Sequence, residues 1–155
     1  MSGSLARIAR RARPVVLGWL AFQATVAIAG RVTARRTDEG DETSLSLRRT
    51  VTHGGLELRP VNPGLSRVRI DLAMAGAELD LTALPRPEHG VDVTLRVLMG
   101  GAAVRVPADW RVWWRSRGAG GTGSDGSVAR VHDERSADVR IHAVVVLGGV
   151  GVEGA

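Results

Sequence analysis

A chain of 155 residues has room for one domain and an appended segment, which excludes a two-domain enzyme. It contains no Cys, no Lys and no Tyr, one Phe and 20 Gly, so disulfides, thiolate zinc sites, cysteine nucleophiles and a lysine-dependent phosphate loop are excluded, and small aliphatic side chains must build the core. The net charge of +5 resides wholly in residues 1–49, with nine Arg against four acids, while residues 50–155 carry twelve of each and offer no basic excess for binding nucleic acid.

Arg7, Arg10, Arg11 and Arg13 make residues 1–13 a basic lead, and an uncharged run, PVVLGWLAFQATVAIAG, follows from Pro14 to Gly30. As a helix these residues reach about 26 Å, near the lower limit for a bilayer core of about 30 Å. Residues 14–32 are therefore expected to form a single-pass membrane anchor at the cell membrane, with the N-terminus inside. Two alternatives stand beside it. Ala27, Ile28 and Ala29 spell an A-x-A step that would end a cleaved secretory signal near Ala29, and Gln23 and Thr25 suit a soluble cytoplasmic helix capping the domain. Residues 33–43, TARRTDEGDET, read as a polar linker.

From residue 44 the apolar period is two: Leu45 and Leu47, Leu56 and Leu58, Val68, Ile70 and Leu72, Leu79 and Leu81, then Val91 through Val97. Val104 and Val106, and Val139, Ile141 and Ala143, continue it. Prolines and glycines between these runs leave little room for a long helix. One phrase recurs, a Gly-Gly or Ala-Gly step followed by an alternating strand, in HGGLELRP (53–60), MAGAELDLT (74–82), MGGAAVRVP (99–107) and LGGVGVEG (147–154). A degraded copy, AGGTGSDG, occupies 119–126. The repeat glycines are Gly54 with Gly55, then Gly76, Gly100 with Gly101, Gly120 with Gly121, and Gly148 with Gly149. The second glycines are spaced by 21, 25, 20 and 28 residues, which suits one turn of a β-solenoid. The expected fold over residues 44–155 is all-β, a short β-solenoid of four to five Gly-Gly coils stacked in chain order and preceded by the N-terminal helix. The alternative is a β-sandwich or meander whose turns contain Gly-Gly.

Met99 to Val112, MGGAAVRVPADWRV, joins the repeat phrase to a VPxxWRV segment. In this the chain resembles the LiaF-like C-terminal domain of the cell wall-active antibiotics response proteins, over roughly residues 50–154. The aromatics that usually precede the glycine pair are replaced here by His53, Met74 or Ala75, Met99 and Leu147. The resemblance implies a non-catalytic domain, often membrane-associated, that in some members modulates a sensor histidine kinase of the cell-envelope stress response.

Candidate chemistry is sparse. GAGGTG at 118–123 matches a dinucleotide fingerprint, but Ser124, Asp125 and Gly126 continue a loop where a helix N-terminus is required. His53, His89, His132 and His142 have no close ligand spacing, and no serine stands in a nucleophile elbow, so no catalytic, cofactor or metal residue is expected. Glu78 and Asp80 flank Leu79 and Leu81 as a solvated strand face should. Trp110, Val112 and Trp114 share one face of a strand, expected to be buried, while Arg111, Trp113 and Arg115 share the other and form the candidate interaction surface. Residues 118–136, rich in Gly and Ser, are expected to be a mobile excursion, and Ala143 to Ala155 an uncapped end. The function expected is that of a membrane-associated regulator acting through protein or envelope contacts. The alternative is a structural module that self-assembles into homo-oligomers through open strand edges.

Overall fold

The computed structural model describes residues 38–155; the basic lead, the apolar segment and the first part of the linker lie outside the described residues. The described chain is mostly β, in one parallel sheet of seven strands. The strands are β1 (Ser46–Leu58), β2 (Arg67–Asp80), β3 (Val91–Val106), β4 (Arg111–Gly118), β5 (Gly121–Ser124), β6 (Ala129–Arg130) and β7 (Val139–Gly154). Among the described residues the only helical element is a three-residue 3-10 turn, Glu134–Ser136, N-capped by Asp133.

Period-two alternation makes these residues strands, and a switch of parity inside the long strands shapes the core. In β3 the buried side chains are Val91, Val93, Leu95 and Val97, then Ala102, Val104 and Val106. In β7 they are Val139, Ile141, Ala143 and Val145, then Val150 and Val152. Successive side chains of a straight strand point to opposite faces, so odd and then even positions reach one core only if the strand turns between them. Both sets belong to a single apolar cluster. The turn falls on the glycine pair, where Gly100 has φ +125° and Gly148 φ +138°. A Cβ on Gly148 would collide with the carbonyl oxygen of Gly100, and one on Gly100 with that of Ala75, so the corner demands glycine for its backbone angle and for close approach. At β2 the same ladder position holds Ala75, whose methyl turns into the core.

The five second glycines lie in one line across the sheet, Gly55 beside Gly76, Gly76 beside Gly101, Gly101 beside Gly149 and Gly149 beside Gly121. Their order in space differs from the chain order expected. The sheet runs β1-β2-β3-β7-β4-β6, with β5 also paired to β7, so the last copy is inserted between the third and the degraded one. The physical reason lies in composition: a central strand is flanked by partners on both edges and its inward row needs a continuous apolar ladder, which β7 supplies and β5 (GTGS) does not. Ala143 to Ala155, expected as an uncapped end, is therefore interior. Residues 118–136, expected as a mobile excursion, contain β5, β6 and the 3-10 turn.

The outer edge of β1 is engaged at its first residues. The Thr50 N–H donates to the Asp38 carboxylate at 2.7 Å, Glu39 forms an antiparallel bridge with Arg48, and the Arg49 guanidinium donates to the carbonyls of Glu39 and Gly40. The polar run is thus tied to the sheet from Asp38 onward. Gly148→Ala should lower unfolding free energy by about 3 kcal/mol in urea titrations, combining left-handed strain with overpacking. Gly151→Ala, where nothing lies within 4 Å of the added methyl, should stay within about 0.5 kcal/mol.

Candidate functional site

β4 carries the aromatic and cationic residues singled out from the sequence. Trp110, in the turn before it, and Val112 are buried at 2% and 0% exposure, and Trp114 is half-buried beside Ile141, as the alternation requires. The opposite face divides its labour. Arg111 is held by Asp138, donating from Nε at 3.3 Å and from a terminal nitrogen at 3.1 Å, while its backbone N–H donates to the same carboxylate at 2.8 Å. Trp113 is half-buried, its ring 5.1 Å from that of His142 and tilted by 60°. His142 in turn lies 3.4 Å from Glu134. Arg115 is exposed and has no carboxylate partner among the described residues. Neither Arg111 nor Arg115 stacks on an indole; the cation over a ring is Arg130, 4.2 Å from the centroid of Trp114. Trp113, Trp114, Arg115 and Arg130 line an open cleft of about 530 Å³ at the β4 edge, with hydroxyls from Ser116, Thr122 and Ser124. Arg130, on the two-residue β6, gave no signal in the sequence because it lay in the Gly/Ser-rich segment.

The buried carboxylates are bound to structural duties. Asp138 is 5% exposed, and its backbone joins two strands, accepting from the Val91 N–H and donating to the Arg111 carbonyl. Burial pushes its carboxyl up, and the Arg111 hydrogen bonds and charge, with Arg86 nearby, outweigh this and hold it below the ordinary 3.8. Asp80 is also lowered, by the Thr82 hydroxyl first and against burial, with the Thr82 N–H and Arg59 adding to it. Asp92 is lowered by the Arg140 guanidinium, whose Nε lies 2.6 Å away.

A second surface lies on the outside of the glycine corner. Leu98, Met99, Val144, Val146 and Leu147 are exposed by 44–56%, and Met74 by 38%. Next to them Ala73, Leu98 and Val146 floor an apolar groove of about 290 Å³ that extends to Thr50 and Thr52 on β1. The sequence reading missed this surface. Its signal was the loss of alternation before the third and fourth glycine pairs, Val97 to Met99 and Val144 to Leu147, where apolar residues run without interruption. Of the repeat glycines, Gly54, Gly100 and Gly148 have positive φ, and the second glycines form the line described above.

Comparison with family models, with curated proteins and with solved structures finds no match for this chain. The resemblance drawn from the sequence therefore rests on the repeat phrase and on VPADWRV, Val106 to Val112, alone.

The three lowered aspartates set an acid limit. A folded value below the unfolded one contributes stability that is complete above 3.8 and is lost as pH falls through the folded values. The melting temperature should hold from neutrality to about pH 4 and fall below it. Asp138→Asn should cost about 2 kcal/mol at pH 7 and give a shallower acid limb, read by thermal melts across pH.

Proposed function

We propose that this chain is a non-catalytic binding module held at a membrane by its apolar N-terminal segment, with residues 44–155 coiled as a short β-solenoid. Chain reach supports the coil. Residues 59–66 connect β1 to β2, and fully extended they cover about 28 Å, whereas a straight strand of 13 residues spans about 43 Å. Only residues 107–110 join β3, 16 residues long, to β4. Parallel strands of one sheet, whether neighbours as β1 and β2 or separated by β7 as β3 and β4, with connections this short require strands that bring their own ends back, as the corner at the glycine pair does.

The observation that carries the function is the way polar and apolar groups are distributed. The two buried acids, Asp80 and Asp138, are consumed in holding turns and strand ends, while a run of large apolar side chains is left on the outside of the corner. A contiguous apolar surface is a feature of proteins that act by contact. The resemblance to envelope-stress regulators adds a protein partner such as a sensor kinase, for which the β4 cleft with Trp113 and Arg115 is the companion surface. The self-assembling alternative is weakened by the bridge over the start of the β1 edge and by a far end that tapers to the two residues of β6, since short or covered edges resist pairing.

Fractionation of cells carrying the C-terminally tagged full chain tests the reading. Expected is a full-length product that pellets with membranes, resists high salt and carbonate, and is released by detergent. A soluble full-length product, or a secreted one beginning at Gly30, would sink it.

A further inference from the structure

We infer that the glycine corner docks on an anionic bilayer surface, with its apolar side chains at the acyl boundary and a belt of arginines at the headgroups. This rests on the membrane reading above and adds the orientation of the domain. Three observations meet at the corner. The first is the apolar tip, in which Met74, Met99 and Leu147 stand side by side on β2, β3 and β7, with Leu98 and Val146 next to them.

The second is charge. Two residues back along the strands from Leu98 and Val146, Val144 is flanked in register by Arg96 on β3 and Arg117 on β4, and Arg115 stands one further step back beside His142. Two residues of strand cover about 6.6 Å, so the belt trails the tip by the depth of about 5–10 Å to which interfacial elements are buried. On their strands the two belt rows hold one acid, Asp71, which is shared by Arg48, Arg69 and Arg96 at 3.8, 3.1 and 3.8 Å, while Asp92 in the row behind is taken by Arg140 and Glu134 lies against His142. Arg115 and Arg117 have no carboxylate partner among the described residues, and arginine stems lie readily along apolar surface with the charge at phosphate level.

The third is the tether. Glu39 bridges antiparallel to Arg48 and the Asp38 carboxylate accepts from the Thr50 N–H, so residue 38, the first described, stands beside β1 about 16 Å of strand short of Gly54 at the corner. Residues 31–37 extend at most about 25 Å, which places the end of the apolar run 14–30 within reach of the same corner. Charge also selects the occupant. A second copy seated through this face would set arginine belt against arginine belt, and the uncharged segment 14–30 would leave the belt without a counter-charge. Lipid phosphates supply it.

The chain has no cysteine, so Leu98→Cys and Glu57→Cys, the latter exposed beyond the corner, each accept one polarity-sensitive thiol dye. The labelled full chain is reconstituted with phosphatidylglycerol and phosphatidylcholine vesicles carrying brominated acyl chains, and flotation is scored in the same samples. Expected is a floating chain whose dye at 98 is blue-shifted and quenched several-fold more than that at 57, with the difference collapsing in phosphatidylcholine alone. A floating chain with equal quenching at the two positions overturns docking and leaves the anchor standing. A chain that does not float overturns both. A dye at 98 that is blue-shifted but unquenched also overturns docking: disulfide-linked dimers of unlabelled Leu98→Cys then assign the face to a second copy, and monomers assign it to the chain's own apolar segment.

Discussion

The left-handed corner glycines Gly54, Gly100 and Gly148, in register beside the line of second glycines, set the terms for everything else in this sheet. Where Gly100 and Gly148 turn, the carbonyl of the neighbouring strand occupies the space a Cβ would need, so strands pack closely only if their corners coincide. A slip of one residue would send every inward side chain of a strand to solvent. Aligned corners allow each long strand to change parity at the same height, which lets Val97 and Ala102 of one strand serve the same core. The same turn leaves residues at its outer side with no core to face. The exposure of Met99 and Leu147 is thus a geometrical companion of the buried ladder.

Asp138 answers a problem created by the spatial order of the strands. β7 enters between β3 and β4, and the residue immediately before it binds Val91 at the start of one neighbour and Arg111 at the start of the other. One residue thereby fixes three strand starts, its backbone bonding Val91 and Arg111 and its carboxylate holding Arg111 again. Removing such a group leaves backbone and guanidinium donors unmatched, which is why its cost exceeds that of the exposed ion pairs along the outer rows.

Much of this was legible in residues and some was not. Alternation from Leu45 onward located the strands, and the recurring glycine phrase gave the corners and even their lateral register, because identical phrases satisfy identical contacts. The faces of β4 followed from Trp110, Val112 and Trp114 in the same way. Strand order was hidden because it is decided by competition: the copy with a complete apolar ladder takes the centre and the one reading GTGS takes an edge, a comparison between segments and not a property of either. The apolar corner was hidden for a different reason. Runs such as Val144 to Leu147 look like buried strand interior until the parity change exposes half of them. Pairing of Arg111 with Asp138, 27 residues away, carries no local pattern.

The insertion of β7 also separates the order of synthesis from the order of assembly. β1, β2 and β3 can zip together as they leave the ribosome, each finding its neighbour already made. β4 and β5 cannot, because their ladder partner is β7, whose first residue follows β5 by 15 positions. Until that strand arrives, β3 holds open the edge it will occupy, and Gly101 waits for a partner 48 residues downstream while its lateral slot resembles that of any other glycine corner. A nascent chain paused in this interval presents an unfilled template, and a second nascent chain at the same stage presents another. The interval between translating β5 and completing β7 is therefore the one in which the β3 edge stands unpaired.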